Sequence, residues 1–250
     1  METDALESDI SERVVPVDNI QLMFHYKKPF KVKSPDNAFL QQPRSVITGL
    51  NNTYSDVSTQ GEAGVVFVEF FPAGAGHFFD FPLNHIENIS INLNDIIKSS
   101  IMEVEDMLQL KDSPEEKAQV IEGFLLKRFA PIPSHDFKIV NTGIKIIIEH
   151  KGQINVKSLS GKLSVTTKSL ERKFSQFIGK TPKQFIKLIR FREILSDFDN
   201  NKNINLTEYA YLNGYFDQSH FIHDFKTYSG LTPREFLIRY CKETDSPPHR

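Results

Sequence analysis

The sequence predicts an α+β fold. The first half reads as a small antiparallel β-barrel or sandwich with helices, and the second half as an all-α domain with two helix-turn-helix motifs. Three observations lead there. Short runs of β-branched and aromatic residues, separated by turn residues, fill the early chain. From Asn92 the apolar spacing changes to a helical period. Beyond about residue 150 the chain repeats itself.

The strand candidates are Gln21-Leu22-Met23-Phe24-His25-Tyr26 and Gly64-Val65-Val66-Phe67-Val68-Glu69-Phe70-Phe71, with shorter ones at Val14 to Val17 and Ser45 to Thr48. Ser34-Pro35-Asp36-Asn37 and Gly49-Leu50-Asn51-Asn52 supply turn chemistry between them. Together they give a barrel or sandwich over residues 10–80. Ile96, Ile97, Ile101, Val104 and Met107 then share one face of a helix. Ser113-Pro114-Glu115-Glu116 forms a capping box with Pro at the first helical position, opening a helix that runs to Phe129. Ala130-Pro131-Ile132-Pro133 breaks it and marks a boundary. A third helix, Asp136 to Lys151, follows. The organisation expected is an N-terminal domain over 1–130, with its barrel at 10–80 and helices at 92–129, a second domain over 136–242, and a tail over 243–250.

The repeat carries most of the functional argument. Phe174, followed by Gly179-Lys180-Thr181-Pro182-Lys183-Gln184-Phe185, matches Phe225, followed by Gly230-Leu231-Thr232-Pro233-Arg234-Glu235-Phe236, at an offset of 51. Earlier the offset is 50: Ile154-Asn155-Val156 matches Ile204-Asn205-Leu206, so the second copy has one extra turn residue. Each copy has a short helix (Val156 to Leu163, Leu206 to Leu212), a turn, and a polar N-cap (Thr166, Asp217) that opens a second helix. Leu170, Phe174 and Phe177 form the inward stripe of one, and Phe221, Phe225 and Tyr228 that of the other. A longer helix, Pro182 to Phe198, joins them. In such a unit the second helix enters the major groove of DNA. A lone pattern of this kind is weak, because many helical hairpins never meet DNA; two copies with matched caps are a stronger signal.

Charge agrees. Residues 1–150 hold 13 Lys and Arg against 22 Asp and Glu, net −9, whereas residues 151–242 hold 16 against 8, net +8. A basic block behind an acidic one points to a polyanion partner for the second half. The single cysteine, Cys241, excludes an internal disulfide and a multi-thiolate metal site and fits a reducing compartment. No apolar run approaches the ~18 residues of a membrane span. Met1 to Asp9 is acidic and lacks the features of a secretory signal. A cytoplasmic protein with no membrane association is expected.

At Gly214-Tyr215-Phe216-Asp217-Gln218-Ser219-His220-Phe221, Phe225-Lys226 and Gly230-Leu231-Thr232-Pro233-Arg234-Glu235-Phe236, the chain resembles the AraC/XylS family of bacterial transcription regulators. Leu170, Arg172, Phe174, Gly179 and Thr181-Pro182 match the first unit, and the likeness covers residues 136–239. It implies a DNA-binding domain of about seven helices, with two recognition helices reading successive major grooves about one turn apart. By that resemblance Thr167, Lys168, Glu171 and Arg172 on the first helix, and Gln218, Ser219, His220 and His223 on the second, face base edges. Arg suits guanine, Gln adenine, and Glu the cytosine amino group. Lys173, Arg190, Arg192 and Lys226 are the phosphate candidates. Three positions depart from the family: Ser164 stands where Gly is preferred, Ser160 where a small apolar residue is usual, and His223 where Arg is usual. Val66 to Phe71, with Pro72-Ala73-Gly74-Ala75-Gly76-His77-Phe78-Phe79 and Phe81-Pro82, resembles an uncharacterised domain fused to some such regulators. The resemblance implies a small-molecule effector, a homodimer, or both, and RNA polymerase as a further partner. The helices at 92–129 suit either a dimer face or a layer covering the barrel.

Two rival readings are a sequence-independent DNA binder and a cupin-like enzyme or ligand-binding barrel. The varied polar faces of the two helices oppose the first. A metal-dependent cupin needs a His-x-His pair, and His25, His77 and His85 are far apart in sequence. No phosphate-cradling or dinucleotide motif occurs, so no catalytic residue, metal or cofactor is expected.

Overall fold

The computed structural model describes residues 2–3, 10–34, 36–59, 61–97, 99–200 and 205–240. Cys241 and the expected tail lie outside them. The N-terminal strands are β1 (Glu2–Thr3), β2 (Ile10–Val14), β3 (Ile20–His25), β4 (Lys31–Lys33), β5 (Phe39–Gln41), β6 (Ser45–Thr48), β7 (Ser55–Thr59), β8 (Ala63–Phe70) and β9 (Ser90–Asn92). Two 3-10 turns, Gly74–His77 and Leu83–Ile86, lie between β8 and β9. Strands β1-β8-β3-β6-β9 form one antiparallel sheet and β2-β7-β4-β5 another. No ladder joins the two sheets among the described residues, so the architecture is an open sandwich rather than a closed barrel.

Strand β3 shows why the sheet stands where it does. Ile20, Leu22 and Phe24 point to one side, into the main core, while Met23 joins Val46 and Val65 in a second cluster on the other. That is the period of two expected of a strand buried on both faces. Strand β2 lies at Ile10–Val14 rather than Val14 to Val17, consistent with Pro16 having no N–H to give a ladder. The turn expected at residues 34–37 closes the β4–β5 hairpin, with Ser34 N donating to Ala38 O at 2.7 Å.

The helical segment after Asn92 comprises α1 (Leu93–Ile97) and α2 (Ser99–Gln109), on either side of residue 98, which lies outside the described residues. Ile101, Val104 and Leu108 make the inward stripe at spacings of three and four, which leaves Met107 exposed, against the expectation for Met107. Helix α3 (Pro114–Arg128) begins on the expected capping box: Ser113 Oγ accepts from Glu116 N at 3.1 Å, and the Glu116 carboxylate accepts from Ser113 N at 3.4 Å. The segment after it is pinned. Ala130 N donates to His77 O at 2.7 Å, and His77 Nδ1 lies 3.0 Å from Ala130 O. His77 also stacks on Phe129 and meets Phe137 edge-on.

Seven helices follow among the described residues: α4 (His135–Glu149), α5 (Val156–Lys162), α6 (Thr167–Ile178), α7 (Pro182–Asn200), α8 (Leu206–Leu212), α9 (Gln218–Ser229) and α10 (Pro233–Tyr240). The main core runs without a break from Leu22 and Phe24 through Leu83 and Phe137 to Leu170, Phe174 and Phe185. A separate core gathers Leu188, Phe191, Phe198, Tyr209, Phe221 and Phe225. Among the described residues no helix is long and apolar enough to cross a membrane.

His25 is 3% exposed, and burial pushes its imidazole pKa down to about 4, against a smaller raising influence from Gln42. The unfolded chain titrates near 6.5. The neutral ring therefore favours the fold above about pH 6.5, and this contribution is lost as pH falls toward 4. Thermal unfolding across pH 4 to 7 is expected to show a loss of about 3 kcal/mol assignable to this residue. The His25→Leu variant should have a flatter profile over that window; an unchanged profile would refute the assignment.

Candidate nucleic-acid interface

The two halves of the repeat fold alike, atom for atom at their caps. Thr166 Oγ1 accepts from Ser169 N at 3.2 Å, and Asp217 Oδ1 accepts from His220 N at 2.7 Å. Each cap satisfies an orphan donor at the start of α6 or α9. Gly179 and Gly230 end those helices in the left-handed region, at φ 83° and 74°. Thr181 with Gln184, and Thr232 with Glu235, then close reciprocal capping boxes that open α7 and α10. The turns before α6 and α9 also each need a left-handed residue, and Ser164 (φ 54°) and Gly214 (φ 71°) supply it.

Burial sorts the candidate residues. On α6, Thr167, Lys168, Glu171 and Arg172 are exposed, and the inward side is Leu170, Phe174 and Ile178, with Phe177 half-buried. On α9, Ser219, His220 and His223 are exposed, and Gln218 is half-buried with its Oε1 accepting from Thr207 Oγ1 at 2.9 Å. Each helix therefore presents a polar face opposite an apolar one. Arg172 lies 3.5 Å from Asp136 and keeps a side chain 67% exposed.

The phosphate candidates divide. Lys226 is exposed. Lys173 is buried and ion-paired with Asp136, whose carboxyl is held below its ordinary range first by that hydrogen bond. Arg190 lies over the Tyr215 ring at 5.0 Å and donates to Gly152 O at 2.8 Å and to Gly214 O at 3.5 Å. Arg192 pairs with Asp18. Three of the four cations thus hold protein together in this arrangement.

A polar junction between the halves was invisible in the sequence. Lys180, in the turn after α6, is buried; its Nζ donates to Glu87 Oε1 and Asn88 Oδ1, both at 2.9 Å. Gln184 Nε2 also donates to Glu87 Oε1, at 3.0 Å. Burial lowers the Lys180 pKa, and Glu87 opposes that shift. Gly179 lies so close that a Cβ there would be 2.7 Å from Leu83 O. The corresponding turn after α9 docks on the other sheet. Arg13 pairs with Asp56 at 2.7 Å, donates to Ser229 O at 3.4 Å and lies over Tyr54, which in turn lies against Gly230. A lysine in Gly179-Lys180-Thr181-Pro182 carries no sequence signal of burial; only the Gly and the capping box were legible.

The histidines of the first half do not converge. His25 packs on Phe30, His77 holds the segment after α3, and His85 lies in the second 3-10 turn. Among the described residues no group of three His, Cys, Asp or Glu is placed to hold a metal.

Residues 159–239 match the family model described as a helix-turn-helix domain, and residues 1–92 match a domain of unknown function, DUF6597. Residues 159–239 are thus a helix-turn-helix domain, in line with the two such motifs read from the repeat. No curated protein matches the chain. Among solved structures, ToxT from Vibrio cholerae is similar at 12% identity and a TM-score of 0.50, over 92% of this chain and 97% of that one. That likeness extends the fold comparison across both halves. The C-terminal domain of AraT, a response regulator from Geobacillus stearothermophilus, is 22% identical with a TM-score of 0.41, over 46% of this chain and 97% of that one.

Two stability predictions follow from the turns and the junction. Ser164→Gly should raise stability by about 0.5 kcal/mol by relieving a left-handed backbone, and Gly214→Ala should lower it by about 1 kcal/mol. Thermal midpoints check both, and equal effects of the same sign would refute the strain argument. Glu87→Ala should cost about 3 kcal/mol by leaving a buried ammonium without its anion. Adding Lys180→Met should recover most of that loss in denaturant titrations; strict additivity of the two losses would show that the pair is not coupled.

Proposed function

We propose that this chain, a DNA-binding transcription regulator by its helix-turn-helix domain, binds specific operators by placing α6 and α9 in two successive major grooves. The observation that carries the reading is the duplicated, capped helix with a polar outer face. Both copies present the residue types that recognise base edges: Arg172, Lys168 and Glu171 on α6, and Gln218, Ser219, His220 and His223 on α9. Lys226 is the exposed phosphate contact. His223 supplies less permanent charge than an arginine would.

Control runs through the N-terminal domain in this reading. The first reading unit shares its core with the sandwich, and both units touch that domain through their turns after α6 and α9. An effector or a second copy bound to the N-terminal domain then acts on DNA binding, with RNA polymerase as the downstream partner. Helices α2 and α3 bury Ile101, Val104, Ile121 and Phe124 in the main core while exposing Met102 and Leu126, with Leu110 exposed just after α2. They cover the core, and their outer face is the proposed homodimer contact.

The test is selection of bound fragments from genomic DNA by the purified protein near physiological salt, with Arg172→Ala and Gln218→Ala in parallel. A motif of two half-elements about 10 base pairs apart is expected. Each substitution should weaken binding by about ten- to a hundredfold and relax one half-element only. Binding with no sequence preference, falling only with salt, would refute specific reading and favour a general polyanion surface.

A further inference from the structure

The change of offset in the repeat falls on one residue. Val165 N donates to Ser160 O at 3.1 Å and Tyr215 N donates to Ala210 O at 3.0 Å, the same bond 50 residues apart. The next capping residues, Thr166 and Asp217, are 51 apart. Phe216 is therefore the inserted residue and has no counterpart in the first turn. Val165 packs half-buried on the main core, and Tyr215 is buried against His220 and Phe221. Phe216 is 87% exposed and belongs to neither core. Its position is immediately before the N-cap of α9, beside Gln218, Ser219 and His220.

An exposed phenylalanine at the entry of a groove-reading helix is placed to meet whatever apolar group the groove offers there. Its neighbour Asp217 is an anionic cap, which disfavours a phosphate at that place. The apolar feature that a major groove offers is the C5-methyl of thymine. We propose that Phe216 is a specificity-determining residue that packs on a thymine C5-methyl at the edge of the half-element read by α9. This rests on the double-reader function above. The insertion gives the second unit a base preference that the first, with no such side chain, lacks. Tyr211 and Leu212, 60% and 67% exposed at the end of α8, give the competing reading, in which all three residues form a docking patch for another protein.

The experiment uses the full chain and the operator recovered by selection. Each thymine in the α9 half-element is replaced singly by deoxyuridine, which removes only the methyl group. Dissociation constants are measured at fixed salt for the wild type, Phe216→Ala, and Tyr211→Ala with Leu212→Ala, after thermal melts confirm that each variant is folded. One deoxyuridine should weaken the wild type about fourfold, the value of burying one methyl-sized group. The same replacement should leave Phe216→Ala unchanged, and the Tyr211 and Leu212 variant should respond as the wild type does. A full deoxyuridine effect in Phe216→Ala overturns the proposal. So does Phe216→Ala with wild-type affinity at every thymine operator but lost transcription, which would assign the residue to a protein partner. If selection yields no motif, the double-reader function falls and this falls with it. If a motif appears and no thymine responds, this inference alone fails.

Discussion

Helix α7 gives its two sides to two different cores, and the relation between α6 and α9 depends on that division. Phe185, Ile186 and Ile189 pack into the core shared with the sandwich, while Leu188, Phe191, Ile194 and Phe198 build the core of the second unit. A helix of 19 residues is about 28 Å long, against about 34 Å for one turn of DNA. The spacing of the two polar faces is therefore set by a rigid helix and two sets of packed aromatic rings, not by a flexible tether. Arg190 adds to this, because it grips Gly152 from one unit and Gly214 from the other while lying over Tyr215.

The two units are nonetheless joined to the N-terminal domain by different physics. The first is fused to it through continuous apolar packing, with Lys180 as a buried ion at the edge. The second has its own core, to which the N-terminal half gives Val15, and it is otherwise held by Arg13, Tyr54 and the Asp18–Arg192 pair. Apolar packing is close to all-or-none, whereas the Arg13–Asp56 and Asp18–Arg192 pairs are a few partly buried polar contacts, screened by salt less than surface pairs are. A change in the sandwich would therefore move α6 as part of one body and would reach α9 through α7 and a few polar contacts.

How much of this was legible follows from how local each signal is. The caps at Ser113, Thr166 and Asp217, the glycines at 179 and 230, and the stripe of Phe221, Phe225 and Tyr228 are written in short windows, and the structure has them in place. Strands β4, β5, β7 and β9 were not legible. Segments such as Lys31–Lys33 and Ser55–Thr59 have little apolar pattern and are strands because a neighbour offers a ladder. The burial of Lys173 and Lys180 was hidden for the same reason. Asp136 and Glu87, which accept their charges, are 37 and 93 residues away in sequence.

The cations that the sequence marks as candidates for DNA are thus partly claimed by the fold, and this changes what net charge means here. The second half carries eight net positive charges, yet Lys173, Lys180, Arg190 and Arg192 face Asp136, Glu87, backbone carbonyls and Asp18. Some of the charge asymmetry between the halves is therefore neutralised across their junction. Exposed positive groups outside these pairs remain on several elements, at Lys157, Lys162, Lys168, Lys183, Lys226 and Arg234, while Arg172 is exposed beside Asp136. Salt dependence would then follow these exposed groups rather than the full net charge, because only cations that reach phosphates release counterions. Net charge therefore overstates the cations open to a polyanion, and any discrimination between sequences would come from the polar faces of α6 and α9, because phosphate contacts carry no sequence information.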